Sequence, residues 1–363
     1  MPTAIKERFL VSPFLVFFLV NSIQIGIGVL GFQRYIAKSA GYDAWIAVLA
    51  FGFIVNLLIW MIYNIMKKGN GDITVIHRDL FGKWIGGLFS LFFVVYLLFF
   101  TITVLRTFIE VIQVWMFPEI KVWAFSLVFL ILTYYVVSGG FRTVTGMSFL
   151  GVVLPLYLLL TLWFPLEFAN FRNLLPILDH SLKELAISTK DTALSYLGFE
   201  TLFMFYPFIK QPEKSQKWAH FGALFTTLIY LVLTIVSFGY YSEKQLAGTV
   251  WATLSIWKIV EMPFVERFEY IGIATYVLVI LPNICLSIWS SSRGVKQLFG
   301  VKQHTALIVL LVIIFVVNCL LTNRTSVDML NTNVSHIGFY IIVLYIPFLF
   351  IISQIHHKVR KKG

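Results

Sequence analysis

Few residues in this chain are of types that do chemistry, and those few sit in apolar surroundings. The sharpest is Glu200, in Ser195-Tyr196-Leu197-Gly198-Phe199-Glu200-Thr201. A lone carboxylate in hydrocarbon costs about 3 kcal/mol or more, so it must face a cavity, a partner or water. It could carry a proton, contact a ligand amine, or hold an unwound segment by accepting backbone N–H bonds. A second polar string, Asn21, Ser22 and Gln24, runs into Gly26-Ile27-Gly28-Val29-Leu30-Gly31. Each glycine weakens a helix by about 1 kcal/mol relative to alanine and lets the backbone unwind. The milder alternative is close helix packing through small residues. Arg106 and Glu110, at i and i+4, share a helix face, where they could pair with each other or line a polar pathway together with Gln24. Thr101, Thr103 and Thr107 add hydroxyls nearby, and Thr103 is counted among the candidate ligand contacts. The histidines lie in or near loops and form no metal pair, and neither Cys285 nor Cys319 has metal-ligand spacing. There is no HExxH, GxSxG or phosphate-binding loop. No catalytic residue, metal or cofactor is expected, and the chain is not expected to be an enzyme.

These residues must be positioned by membrane-spanning helices. The chain has 363 residues, 59% hydrophobic and 12% charged, against about 25% charged in an ordinary soluble domain. Spans of about 20 apolar residues are expected near 10–31, 44–66, 84–110, 121–138, 146–165, 190–209, 218–240, 268–290, 305–322 and 335–355. The third is the longest and is expected to tilt or to extend beyond the bilayer. Polar linkers punctuate them: Lys67-Lys68-Gly69-Asn70-Gly71-Asp72, Ser138-Gly139-Gly140, Lys210-Gln211-Pro212-Glu213-Lys214 and Asn323-Arg324-Thr325. No soluble domain is inserted, so residues 1–363 read as a single transmembrane, permease-like domain. Lys6 and Arg8 precede the first apolar run without a following cleavage site, so no cleaved leader is expected.

With both termini cytoplasmic, that face collects Lys6, Arg8, Lys67, Lys68, Arg78, Lys83, Arg142, Lys210, Lys214, Lys217, Arg293, Lys296, Lys302, Lys358, Arg360, Lys361 and Lys362. Only Glu7, Asp72, Asp79 and Glu213 oppose them there. The net charge of +11 is thus a topology signal and an attraction to the lipid bilayer. Basic residues scattered over short loops argue against a nucleic-acid partner. On the other side, 166–189 carries Leu178, Leu182, Leu185 and Ala186 at helical spacing, expected as an interfacial amphipathic helix. Residues 241–267 have room for one or two short helices over the outer mouth; ordinary capping loops are the alternative for both segments.

Gly28 and Gly198 stand about half a chain apart, each interrupting an otherwise good span. Matching interruptions in two halves point to an inverted-repeat transporter fold, whose broken helices offer their half-helix ends near the midplane. Five spans per half give the halves the opposite topology that such a fold needs. The expected fold is all-α integral membrane, about ten helices in a 5+5 inverted repeat with helices 1 and 6 broken.

The chain resembles the B subunit of bacterial spore germinant receptors, within the amino acid–polyamine–organocation transporter superfamily. The motifs that carry the resemblance come in order. They are Gly26-Ile27-Gly28-Val29-Leu30, Leu80-Phe81-Gly82-Lys83-Trp84-Ile85-Gly86, Asn173-Leu174-Leu175-Pro176, Ser195-Tyr196-Leu197-Gly198-Phe199-Glu200, Trp251-Ala252-Thr253-Leu254-Ser255 and Phe264-Val265-Glu266-Arg267-Phe268-Glu269. Ala252 stands where the family often has Pro, and Phe208 follows Pro207 where a Pro-Glu pair is common; both leave ligand preference open. The resemblance implies a germinant-binding subunit in the spore inner membrane, working with a larger A subunit and a lipoprotein C subunit. The germinant would be an amino acid or another small nutrient, held in a permease-like site. Its carboxylate would meet N–H groups around Gly26, Ile27 and Gly28, and its amine the carbonyls around Tyr196, Leu197 and Gly198, with Phe199 and Glu200 adjacent. The alternatives are an amino acid or polyamine permease coupled to protons or sodium, and a purely structural assembly partner. Coupling signatures are weak: the fifth span has no Lys, and Ser287, Ser290 and Ser291 of the eighth lie near its end.

Overall fold

The computed structural model describes residues 5–69, 71–262 and 265–360. Asn70 of the first linker, Phe264 of the last motif, and Lys361 and Lys362 of the basic tail lie outside the described residues. Helices account for the spans, in the expected order. The first span is two half-helices, Val16–Gln24 and Phe32–Ala40, with a 3-10 turn at Ile27–Leu30 between them. Ala44–Lys68, Ile73–Trp115 and Val122–Ser138 follow as the second to fourth. The fifth, Phe141–Val153, tightens to a 3-10 helix over Leu154–Leu162 and ends at Trp163–Leu166. The sixth is broken between Leu182–Ala193 and the short turns from Phe199 to Phe208. The seventh to ninth are Gln216–Tyr240, Phe268–Phe299 and Gln303–Leu320. The tenth runs from Arg324 to Arg360 through a π-helical turn at Ile341–Tyr345.

Contacts between connections show how the spans alternate. The Asp43 carboxylate, between the first two spans, accepts the N–H groups of Leu178, Asp179 and His180, between the fifth and sixth. At the other end, Arg293 pairs with Asp72 at 3.1 Å, and Lys210 with Glu7 at 2.7 Å. The Lys210 ammonium holds the Glu7 carboxyl below its usual range. One face therefore carries the long connections and the other carries both ends of the described chain. Large apolar side chains such as Phe53, Trp84, Tyr135 and Leu160 are exposed around the perimeter, as a lipid-facing surface requires. Inside, the third span packs along the eighth, and the first against the seventh.

Three expectations change. Leu182–Ala193 is not an interfacial helix: it packs against Phe32–Ala40 and Ala44–Lys68 as the outer half of the sixth span. Its amphipathic spacing came from having one face on protein, with Ser188 Oγ donating to Ile36 O at 2.8 Å. Leu178 lies before it, outside any helix, with φ +64. The third span itself begins just after Gly82, in line with the expected start near 84, but the linker before it is not all irregular: 73–81 is a separate short helix that folds back at Gly82, whose φ of +76 favours glycine. A Cβ on Gly86 would stand 2.4 Å from His77 O, so only glycine allows that fold-back to pack. Finally, Asn323-Arg324-Thr325 does not lead to a span beginning near 335, because the tenth helix starts at Arg324. The connection after the seventh span does form two short helices, Glu243–Gly248 and Ala252–Trp257.

Candidate functional site

At the first break the chain gives up its helical hydrogen bonds and other spans replace them. Ile25 and Gly26 are extended, with φ −87 and −125. Asn283 Nδ2 donates to Ser22 O at 2.6 Å and to Ile25 O at 3.1 Å. Tyr276, two turns earlier on the same face of the eighth span, donates to Gly26 O at 2.9 Å. Tyr230 of the seventh span shares its one hydroxyl hydrogen between Ser195 O at 2.8 Å and Gln24 O at 3.1 Å, bridging the two breaks. Thr253, on the second short helix, donates to Val29 O at 2.8 Å. The carbonyls are thus satisfied, as they must be away from water. Among the described residues, the N–H groups of Gly26, Ile27 and Gly28 have no such partner.

The sixth break is held by its own residues. Gly198 has φ +108, and a Cβ there would lie 2.5 Å from Ile23 Cγ1, so glycine is required both by conformation and by space. Glu200 is fully buried. Its Oε2 accepts the Gly198 N–H at 2.8 Å, and its Oε1 accepts the Tyr96 hydroxyl at 2.6 Å. Thr201 Oγ1 donates to Gly198 O at 2.7 Å. Of the roles open to Glu200, holding the unwound segment is the one its bonds perform. Gln24 Nε2 links the two breaks by donating to Tyr196 O at 3.2 Å.

Between the breaks lies a cavity of about 810 Å³. Gln24, Gly26, Ile27, Gly28, Thr103, Ser195, Leu197 and Asn283 form its uncharged inner part. The exposed Lys38, Glu243, Arg324 and Asp328 form its rim, so it opens on the face with the long connections. The opposite side is closed. Phe203, Met204, Phe205 and Phe208 are buried there, and the Trp289 ring lies 4.5 Å from that of Phe141 and 5.0 Å from that of Phe208. Val11 straps this closure by accepting the Lys210 N–H at 2.8 Å and donating to Phe208 O at 2.9 Å.

The cavity gathers part of the expected set: Gln24, Gly26, Ile27, Gly28, Thr103, Leu197 and Glu110. Tyr196, Gly198, Phe199 and Glu200 are buried behind its wall and shape it from there. Arg106 and Glu110 do not pair with each other. Glu110 meets Arg324 at 2.9 Å, whereas Arg106 turns to Leu321 O at 2.8 Å and leaves the cavity lining. Both find partners on the tenth span and the turn before it, a long-range packing that i, i+4 spacing does not encode. Three lining oxygens, Gln24 Oε1, Thr103 Oγ1 and Asn283 Oδ1, are buried without a hydrogen-bond partner. Asn283 and Tyr230 also line the cavity and are not among the expected site residues. The signal available was an amide directly after Pro282 in an apolar span. Among the described residues no cluster of His, Cys, Asp or Glu could hold a metal.

Comparison with known proteins follows the same lines. The solved structure of MhsT in complex with L-phenylalanine superposes with TM-score 0.67 at 15% identity, covering 94% of this chain and 87% of that one. Mhp1, a nucleobase-cation-symport-1 family transporter, gives TM-score 0.62 at 14% identity, covering 94% and 81%. At these identities the likeness shows the fold alone: that of an all-α membrane transporter with two broken helices. In sequence, the chain is 46% identical over 357 residues to spore germination protein GerQB of Bacillus cereus, covering 98% of this chain and 99% of that protein. The family model described as "Spore germination protein" matches residues 10–327. With motifs, broken-helix architecture and full-length similarity in agreement, the chain belongs to the spore germination protein family.

Proposed function

We propose that this chain is the nutrient-binding membrane subunit of a spore germination receptor, taking an amino acid or similarly small nutrient into the cavity between its two breaks. The observation that carries this reading is the set of unpartnered polar atoms there. Gln24 Oε1, Thr103 Oγ1 and Asn283 Oδ1 stand as buried acceptors, beside the unpaired N–H groups of Gly26, Ile27 and Gly28. Buried polar groups are normally satisfied, so a concentration of orphans in a cavity points to a ligand that completes them. A zwitterion matches both sets: its carboxylate takes the N–H groups and its ammonium takes the oxygens. MhsT, which shares the fold, was solved with L-phenylalanine, and this supports the same ligand class. Glu200 then acts one step back, as a positioning residue that holds the sixth break open.

In this reading the protein lies in the spore inner membrane with both termini cytoplasmic, and works with an A subunit and a lipoprotein C subunit. The cavity is open on one side and closed on the other, so a ligand that binds the closed-over form more tightly shifts that equilibrium. Signalling requires that difference in affinity between states, not tight binding alone.

The test is germination of spores in which this chain's gene is the only nutrient receptor gene deleted or restored. They would be challenged with a panel of amino acids, nucleosides and sugars. The expected result is loss of response to one nutrient on deletion and its return on restoration, with vegetative uptake unchanged. Normal germination with impaired uptake would overturn the receptor reading in favour of a proton- or sodium-coupled permease.

A further inference from the structure

The wall of the cavity carries one carboxylate that no side chain neutralises by contact. Asp191 lines the cavity and is half-buried there. Among the described residues its carboxylate accepts no hydrogen bond and has no basic group at ion-pair distance. The other acids of the lining differ. Glu110 and Asp328 meet Arg324 at 2.9 and 3.7 Å, and Glu243 is exposed at the rim. Lys38, Lys190 and His336 are the basic groups whose charge acts on Asp191. All three are exposed, and the Lys190 ammonium sits 5.6 Å over the Phe339 ring. Water and salt screen such charges, so they attract weakly across a gap. Arg34 also lines the cavity, but its long side chain can carry its charge out to water. An aspartate side chain is too short to do so, and its charge stays in the wall.

The position of this carboxylate defines the group it suits. Asp191, Leu194 and Ser195 follow one another at i, i+3 and i+4 on one helix face, and all three line the cavity. Asp191 thus stands one turn, about 6 Å, outward of Ser195 at the sixth break. Leu194 and Leu197 give the wall beside it an apolar surface. The half-helix Leu182–Ala193 ends two residues after Asp191, and an acid in the last turn of a helix opposes the helix dipole. Folding alone disfavours an acid there, whereas a cation brought to the same place meets both the carboxylate and the negative helix end. Resting on the function proposed above, we propose that Asp191 is a specificity-determining residue that takes a second, distal cation on the ligand, so that the preferred nutrient is a basic amino acid of the lysine or arginine type. Its α-carboxylate and α-ammonium fill the inner part of the cavity. Its methylenes then run over Leu194 and Leu197 and cover the remaining distance of about 6 Å to Asp191.

The experiment is equilibrium binding to the purified full chain in nanodiscs. L-Lysine and L-arginine are set against their neutral counterparts, L-norleucine and L-citrulline, with L-glutamate as the acidic control. The native protein is expected to bind one basic amino acid at least about tenfold more tightly than its neutral counterpart. Asp191→Asn should abolish that preference by weakening the basic ligand alone, and Asp191→Glu should keep it. The neutral counterpart should bind Asp191→Asn as it binds the native protein, which a loss of fold would not allow. A native protein that binds neutral or acidic amino acids as tightly as basic ones overturns the inference and leaves the proposed function standing. So does a preference that survives in Asp191→Asn. Binding of none of the five also overturns the inference, and the germination panel then decides the proposed function separately.

Discussion

The two interrupted spans reach similar shapes by different means. The sixth break is held by residues within four positions of itself: Gly198 turns the chain, Glu200 accepts the Gly198 N–H, and Thr201 donates to Gly198 O. Other spans add Tyr96 on the Glu200 carboxylate, Gln24 on Tyr196 O and Tyr230 on Ser195 O, but the turn itself is closed locally. The first break is held from outside, by Asn283, Tyr276, Tyr230 and Thr253 on other elements. A locally held break keeps its geometry when neighbouring spans move. One held by distant side chains must change when they do. Under the function proposed above, the first break is therefore the part that would register a ligand and pass a displacement to the seventh and eighth spans, with the sixth as the firmer wall.

The sharpest way to break this comparison is at Gly198. Gly198→Ala places a Cβ 2.5 Å from Ile23 Cγ1 at φ +108, and should cost about 3 kcal/mol from backbone strain and overpacking together. Thermal unfolding in nanodiscs reads this directly, and native-like stability would mean that the sixth break is not a rigid wall. Glu200→Gln should cost less, about 1–2 kcal/mol, since its amide keeps one acceptor oxygen where the carboxyl uses two and its NH2 cannot accept the other bond. Tyr96→Phe should not add to it in a double-mutant cycle, because the two share one bond. Full additivity would show that the Tyr96–Glu200 bond does not help to hold the sixth break. Tyr276→Phe should have the smallest effect on the fold, about 0.6 kcal/mol. It should nevertheless shift the nutrient dose-response of spores, because it frees Gly26 O at the yielding break. An unchanged dose-response would remove the distinction between the two breaks.

The sequence shows the sixth break better than the first for the same physical reason. Gly198 and Glu200 are two positions apart, and a carboxylate so near a glycine at mid-membrane depth declares itself. The partners of the first break lie more than 200 residues away in the chain, and nothing in Tyr276 or Asn283 alone says which carbonyl each will meet. The spans themselves were legible because an apolar run of fixed length has few alternatives in a bilayer. The charged pairs were less so. Glu110 finds Arg324 instead of Arg106, since packing of the third span against the tenth brings the guanidinium over it. Leu182–Ala193 has the pattern of a surface helix because half of it does lie outward, with Leu182 at 85% exposure and Ser188 at 0%.

The most direct test of the central claim is nutrient binding to the purified chain in nanodiscs, with the native protein beside Gln24→Leu and Thr103→Val. Both substitutions remove a cavity acceptor without disturbing either glycine. The account predicts that one small nutrient binds the native chain and that each variant, still folded, binds it at least about tenfold more weakly, the equivalent of one lost hydrogen bond to a charged group. Binding at unchanged affinity in both variants would place the site elsewhere and contradict the account.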